Sequence, residues 1–122
     1  NRKYPEVNYE VQDLYKMTFQ DGFFDYVVLG EVLEHLTDPK LAVLEAIRVL
    51  KVGGVLAISV PLNEAKEPGA VDSHHHLWSF DTDDMLEILK PYGRIKSVIL
   101  GSIYWPQYKY CWPNLLVYLR KK

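Results

Sequence analysis

The chain is short of the features that mark several protein classes. It has one cysteine, Cys111, among 122 residues, so no internal disulfide can staple it. A reducing compartment, expected to be the cytoplasm, is the simple reading of that scarcity. Positive charge is not in excess: 14 Lys and Arg stand against 16 Asp and Glu, a net charge of −2. A chain without a basic field is a poor candidate for binding nucleic acid, and no nucleic-acid partner is expected. No apolar run is long enough to span a bilayer, so no membrane partner is expected either. Repeats and low-complexity stretches are absent, and no linker divides the chain. There is no G-x-G anywhere; the paired glycines are Gly53 and Gly54.

What is present is an ordinary globular composition, 48% hydrophobic and 25% charged, enough for one modest domain. Short apolar runs alternate with helical patterns. Asn8 to Gln12 reads as a short strand. Tyr26-Val27-Val28-Leu29 is a continuous apolar run ending at Gly30, the pattern of a strand buried on both faces. Glu31 to Leu36 reads as a short helix. Asp38-Pro39 is a helix start, with Asp as N-cap and Pro at the first helical position. The stripe Leu41, Leu44, Ile47, Leu50 then predicts the buried face, and Gly53-Gly54 the stop. Val55 to Val60 is a second buried-type strand, ended by Pro61. A polar loop runs from Asn63 to about Trp78. Asp81 caps a helix to about Lys90, and Pro91-Tyr92-Gly93 ends it. Ile95 to Leu100 and Leu115 to Leu119 form a final hairpin-like pair of strands. The whole reads as an α/β sheet.

Two segments carry a resemblance. One runs from Asp21 through Phe24-Asp25-Tyr26-Val27-Val28-Leu29-Gly30 to Glu31-Val32-Leu33-Glu34-His35-Leu36. The other is Glu45-Ala46-Ile47-Arg48-Val49-Leu50-Lys51-Val52-Gly53-Gly54-Val55-Leu56, followed by Pro61. In combination they resemble the middle of class I S-adenosylmethionine (SAM) methyltransferases of the small-molecule, type-11-like kind, over about residues 8 to 100. The resemblance implies a partial Rossmann-like class I sheet, strands three to seven, from a family order 3-2-1-4-5-7-6 with the seventh strand antiparallel. It implies SAM as cofactor and methyl transfer to a small-molecule acceptor as the activity. The glycine-rich turn that holds the methionine part of SAM in that family has no counterpart here. Residues 1–122 are therefore expected to be a single, truncated methyltransferase domain, inactive by itself and weak in SAM binding. A non-catalytic remnant is the alternative.

The resemblance assigns Asp13 to the adenine amino group, Leu14 to the adenine ring through its backbone N–H, and Gly30 and Glu31 to the methionine moiety. Against these stand blander readings: a solvated turn for Asp13, and relief of crowding at a strand end for Gly30. Glu31, Glu34 and His35 are spaced to share one helical face, and two carboxylates with an imidazole could hold a divalent ion. The pattern is similar to that of metal-assisted O-methyltransferases, with a fourth ligand from His74, His75 or His76. Many relatives carry it without metal, and no metal ligand is assigned. His35 and His75 are the expected catalytic histidines on the acceptor side, with packing as the competing role for His35. Tyr104, Trp105, Tyr108, Tyr110 and Trp112 crowd one loop, either as a small core or as a contact surface. That loop, or a strand edge, is where a homodimer would form. Without the first two strands of the family order, Tyr26 to Leu29 becomes an edge. The strand near Asn8, a second copy, or the missing segment of the protein itself is expected to cover it, and a bare edge in a single chain would contradict the strand order.

Overall fold

The computed structural model describes residues 7–62, 76–100 and 113–122. Strands β1 (Phe24–Gly30), β2 (Leu50–Pro61), β3 (Gly93–Leu100) and β4 (Asn114–Lys121) form one sheet in the order β1-β2-β4-β3. The β1–β2 pair is parallel; β4 runs antiparallel to both β2 and β3. This is the arrangement implied by the last four strands of the class I order.

Helix α1 (Pro39–Val49) begins as expected. Asp38 accepts the Leu41 N–H at 3.0 Å, and Pro39 occupies a position that needs no donor. Helix α2 (Thr82–Leu89) is closed by a reciprocal cap in which Asp81 accepts the Asp84 N–H and Asp84 accepts the Asp81 N–H, each at 2.9 Å. Both caps are local, and both were readable from the sequence.

The side of α1 that is buried was misread. Leu41 and Leu44 lie 42% and 47% exposed, whereas Ala42, Val43, Ala46 and Ile47 face the core. Two alanines on that side let the helix sit close to the sheet, which two leucines would prevent. The helix also ends earlier than Gly53, because Leu50 already begins β2. Gly53 adopts φ 78, inside an irregular start of the β1–β2 register.

Leu56, Ile58 and Val60 of β2 and Leu115, Val117 and Leu119 of β4 alternate into one core, which takes in Val43 and Ala46 of α1 and Met85 and Leu89 of α2. The opposite face is uncovered among the described residues: Tyr26 is 74% and Val28 72% exposed, and Tyr118 lies on the same side. Burial of β1 on both faces is thus corrected, since both helices pack on one side. Residues 7–13 form no strand, and Glu31 to Leu36 contains only a 3-10 turn, Leu33–His35. Nothing in the described chain pairs with the outer edge of β1. Among the described residues the edge is bare, and the strand order nonetheless stands, because β1 needs only its inner neighbour β2 to fix its place.

Residues 17–21 are tied to α1 by Arg48. Its guanidinium grips Glu45 through two bonds, at 2.7 and 2.9 Å, and donates to the carbonyls of Met17 and Phe19 and to Asp21. Glu45 in turn accepts the Met17 N–H at 2.7 Å. The Arg48 hydrogen bond holds the Glu45 carboxyl below its usual range, despite opposing desolvation. A carboxyl depressed on folding stabilises above its unfolded pKa and loses that contribution as pH falls through the folded value. Melting temperature should therefore fall more between about pH 7 and pH 3 in the native chain than in Glu45→Gln. Identical pH dependence in the two would remove Glu45 from the acid response.

Candidate functional site

The parallel strands β1 and β2 end on the same side, at Gly30 and Pro61, and the ends of such strands are where open α/β sheets bind ligands. Four segments meet there. The first is the strand end itself. Gly30 is exposed, and a Cβ placed on it would meet only Ser59 Oγ, at 3.7 Å, an ordinary contact. Neither the backbone nor crowding requires glycine at this position. Glu31 follows with φ 53, a left-handed conformation that non-glycine residues adopt at a cost. Its N–H is held by Ser59 O at 3.0 Å.

The second segment is the turn at Asp13. Asp13 Oδ1 accepts the Tyr15 N–H at 2.8 Å and its carbonyl accepts the Lys16 N–H at 3.0 Å. The carboxylate thus shapes a turn with one oxygen. Leu14 packs half-buried against the core. The Tyr15 hydroxyl lies 3.0 Å from Thr37 Oγ1 and accepts the Asp38 N–H at 3.2 Å, tying this turn to the start of α1.

The third and fourth segments are the 3-10 turn Leu33–His35 and residues 76–80. Glu34 O accepts the Leu77 N–H at 2.7 Å and the Trp78 N–H at 3.3 Å. The Trp78 indole N–H donates to Leu36 O at 2.8 Å. These bonds carry His76 to His35, with ring centroids 4.6 Å apart and planes at 76°. Glu34 lies beneath them, its side chain 2% exposed, with Oε1 3.8 Å from His35 Nε2. Burial raises the Glu34 carboxyl above its usual range, and the nearby Glu31 adds to that.

His35 is therefore placed at this end of the sheet, beside Glu34 and His76. Glu31 is not part of that cluster, so the face expected for Glu31, Glu34 and His35 is replaced by Glu34, His35 and His76. His74 and His75 lie outside the described residues, as do the aromatics from Tyr104 to Trp112. Sequence reasoning weighed Glu34 only as a possible metal ligand, not as a buried acid, and did not single out Tyr15, Ser59 or Trp78. The polar clamps that Tyr15 and Trp78 make cross 22 and 42 residues and leave no local trace. A separate open cleft of about 660 Å³ lies between the first turns of α1 and α2, lined in part by Thr37, Asp38, Trp78 and Phe80. None of the residues assigned to SAM from sequence lines it.

Residues 1–58 match a family described as a methyltransferase domain. Over 107 residues, 86% of this chain, 28% are identical to a "Probable S-adenosylmethionine-dependent methyltransferase" of Mycobacterium tuberculosis. A counterpart from Mycolicibacterium smegmatis is 31% identical over 93 residues, 75% of this chain. The chain spans 39% and 36% of the length of these two relatives. The solved structure of a SAM-dependent methyltransferase from Thermotoga maritima superposes with a TM-score of 0.70 at 19% identity, covering 89% of this chain and 61% of that one. That likeness establishes the class I methyltransferase fold, and the sequence matches make the chain similar to SAM-dependent methyltransferases over most of its length.

Proposed function

We propose that the protein carrying this chain binds SAM and transfers its methyl group to a small-molecule acceptor, with Asp13, Leu14, Gly30 and Glu31 on the cofactor side and His35 and His75 on the acceptor side. The observation that carries the reading is Gly30. It stands exposed at the carboxyl end of β1, where a side chain would fit and none is present. A ligand brought close to the backbone gives glycine a purpose there that packing does not. The left-handed Glu31 beside it is the kind of backbone outlier that gathers at binding sites. Asp13 fits the same role. Its second carboxylate oxygen is available to an exocyclic amine while the first holds the turn.

SAM supplies an electrophilic methyl group on a sulfonium centre. The chain's own residues position and, where the acceptor needs it, take a proton. An imidazole at His35, half exposed beside the strand end, suits that task near neutral pH. The absence of any G-x-G favours a second reading, a chain that does not hold SAM by itself.

Calorimetry of SAM binding to the full-length gene product tests the first reading. Asp13→Ala should weaken binding by about tenfold, the scale of one charge-assisted hydrogen bond. Gly30→Leu should weaken it by at least about tenfold while leaving the circular dichroism spectrum unchanged. Wild-type affinity in both variants would return Asp13 to a turn role and Gly30 to an accident of the strand end.

A further inference from the structure

The geometry points to Tyr15 as the positioning residue that sets the base specificity of the cofactor site, by locking the Asp13–Leu14 turn to the start of α1. This rests on the reading of Asp13 and Leu14 as the adenine contacts.

The turn is shaped by its own bonds but not placed by them. Asp13 Oδ1 accepts the Tyr15 N–H, and Gln12 Oε1 closes the base of the loop by accepting the Thr18 N–H at 3.0 Å. Bonds of this kind move with the loop as a unit. Its place at the sheet end comes from bonds to α1, and these are made at two points. At one, Met17 donates its N–H to Glu45 and Arg48 holds the Met17 carbonyl. At the other, the Tyr15 hydroxyl accepts the Asp38 N–H at 3.2 Å and lies 3.0 Å from Thr37 Oγ1. Asp38 caps the amino end of α1, and Glu45 lies about two turns further along. Held at both points, the loop cannot rotate. Held at Met17 alone it can pivot, and Asp13, beyond Tyr15 from that pivot, moves furthest.

Position matters because a carboxylate reads an amine through one short bond, and a displacement of about 1 Å takes that bond out of reach. A carboxylate accepts from the 6-amino group of adenine and repels the carbonyl of a 6-oxo purine. Loss of position therefore appears as loss of discrimination. The Tyr15 ring packs with Leu14 against the core. Tyr15→Phe keeps that packing and removes the hydroxyl alone. Thr37 lies at the other end of the bond and is none of the residues assigned to SAM.

Calorimetry on the full-length gene product, with SAM and with its analogue carrying a 6-oxo purine, tests the role. The native protein should prefer SAM by at least about tenfold. Tyr15→Phe should cut that preference at least about threefold, by weakening SAM alone, with melting temperature within about 2 °C of native. Thr37→Val should act in the same direction, and the double variant should lose no more than Tyr15→Phe. If Asp13→Ala abolishes the preference while Tyr15→Phe leaves it intact, the role of Tyr15 is overturned and the adenine reading stands. If the native protein shows no preference, or Asp13→Ala keeps it, both fall. Equal weakening of the two ligands in Tyr15→Phe would make Tyr15 a structural residue and also overturn the assignment.

Discussion

Gly93→Ala will force β3 and β4 apart at the start of their ladder. Gly93 opens β3 opposite Lys121, and a Cβ there would sit on the carbonyl oxygen of Arg120, 2.8 Å from its carbonyl carbon and 3.2 Å from Lys121 Cα. All three are backbone atoms, so no side chain can swing aside. The φ of 169° is ordinary extended backbone, so space and not conformation demands glycine. Relief requires the two strands to part at the start of their ladder. Overpacking of this kind costs roughly 3 kcal/mol, equivalent to a fall of about 10–20 °C in melting temperature for a domain of this size. A thermal melt followed by circular dichroism reads it directly. A variant melting within about 3 °C of the native chain would show that the strand ends give way cheaply.

Leu56→Ala should have a comparable effect through a different cause. Leu56 is fully buried at the middle of β2, with Val27 on one side and Leu119 on the other. Truncation removes three buried carbon atoms and leaves a cavity that strands held from both sides cannot close. The expected cost is about 3 kcal/mol in urea unfolding. Val52→Ala, on the same strand but 78% exposed, should cost little and serves as control. Equal losses in the two variants would mean that the core lies elsewhere than the alternation of β2 and β4 places it.

Helix starts were legible because they are local. Asp38-Pro39 and the acids around Asp81 satisfy the first N–H groups within three residues of themselves. The paired strands at the end of the chain were legible for the same reason, as apolar runs broken by turn residues. The buried face of α1 was not, because Leu41-Leu44-Ile47 and Ala42-Val43-Ala46-Ile47 both fit helical spacing. Hydrophobicity favours the leucines, and only the distance to the sheet favours the alanines. Burial of β1 depends on what covers its second face, which lies in no residue of β1 itself. At the candidate site, sequence located His35 but did not place His76 against it. The two N–H bonds to Glu34 O, made by the residues after His76, decide that. They also bury Glu34, an acid that spacing alone would leave in solvent.

The sheet order has a consequence for synthesis. β4 lies between β2 and β3 in space but follows both in the chain. A nascent polypeptide leaving the ribosome can pair β1 with β2 at once, since both are already made. β3 then emerges with no strand to receive it, because its ladder is with β4. The inner edge of β2 must also wait while everything between Pro61 and Asn114 is translated, an interval of roughly 3–10 s at ~5–20 residues per second. Through that interval the inner edge of β2 stays without the strand it will pair with. An open apolar edge of that kind is what chaperones cover and what a neighbouring nascent chain can pair with.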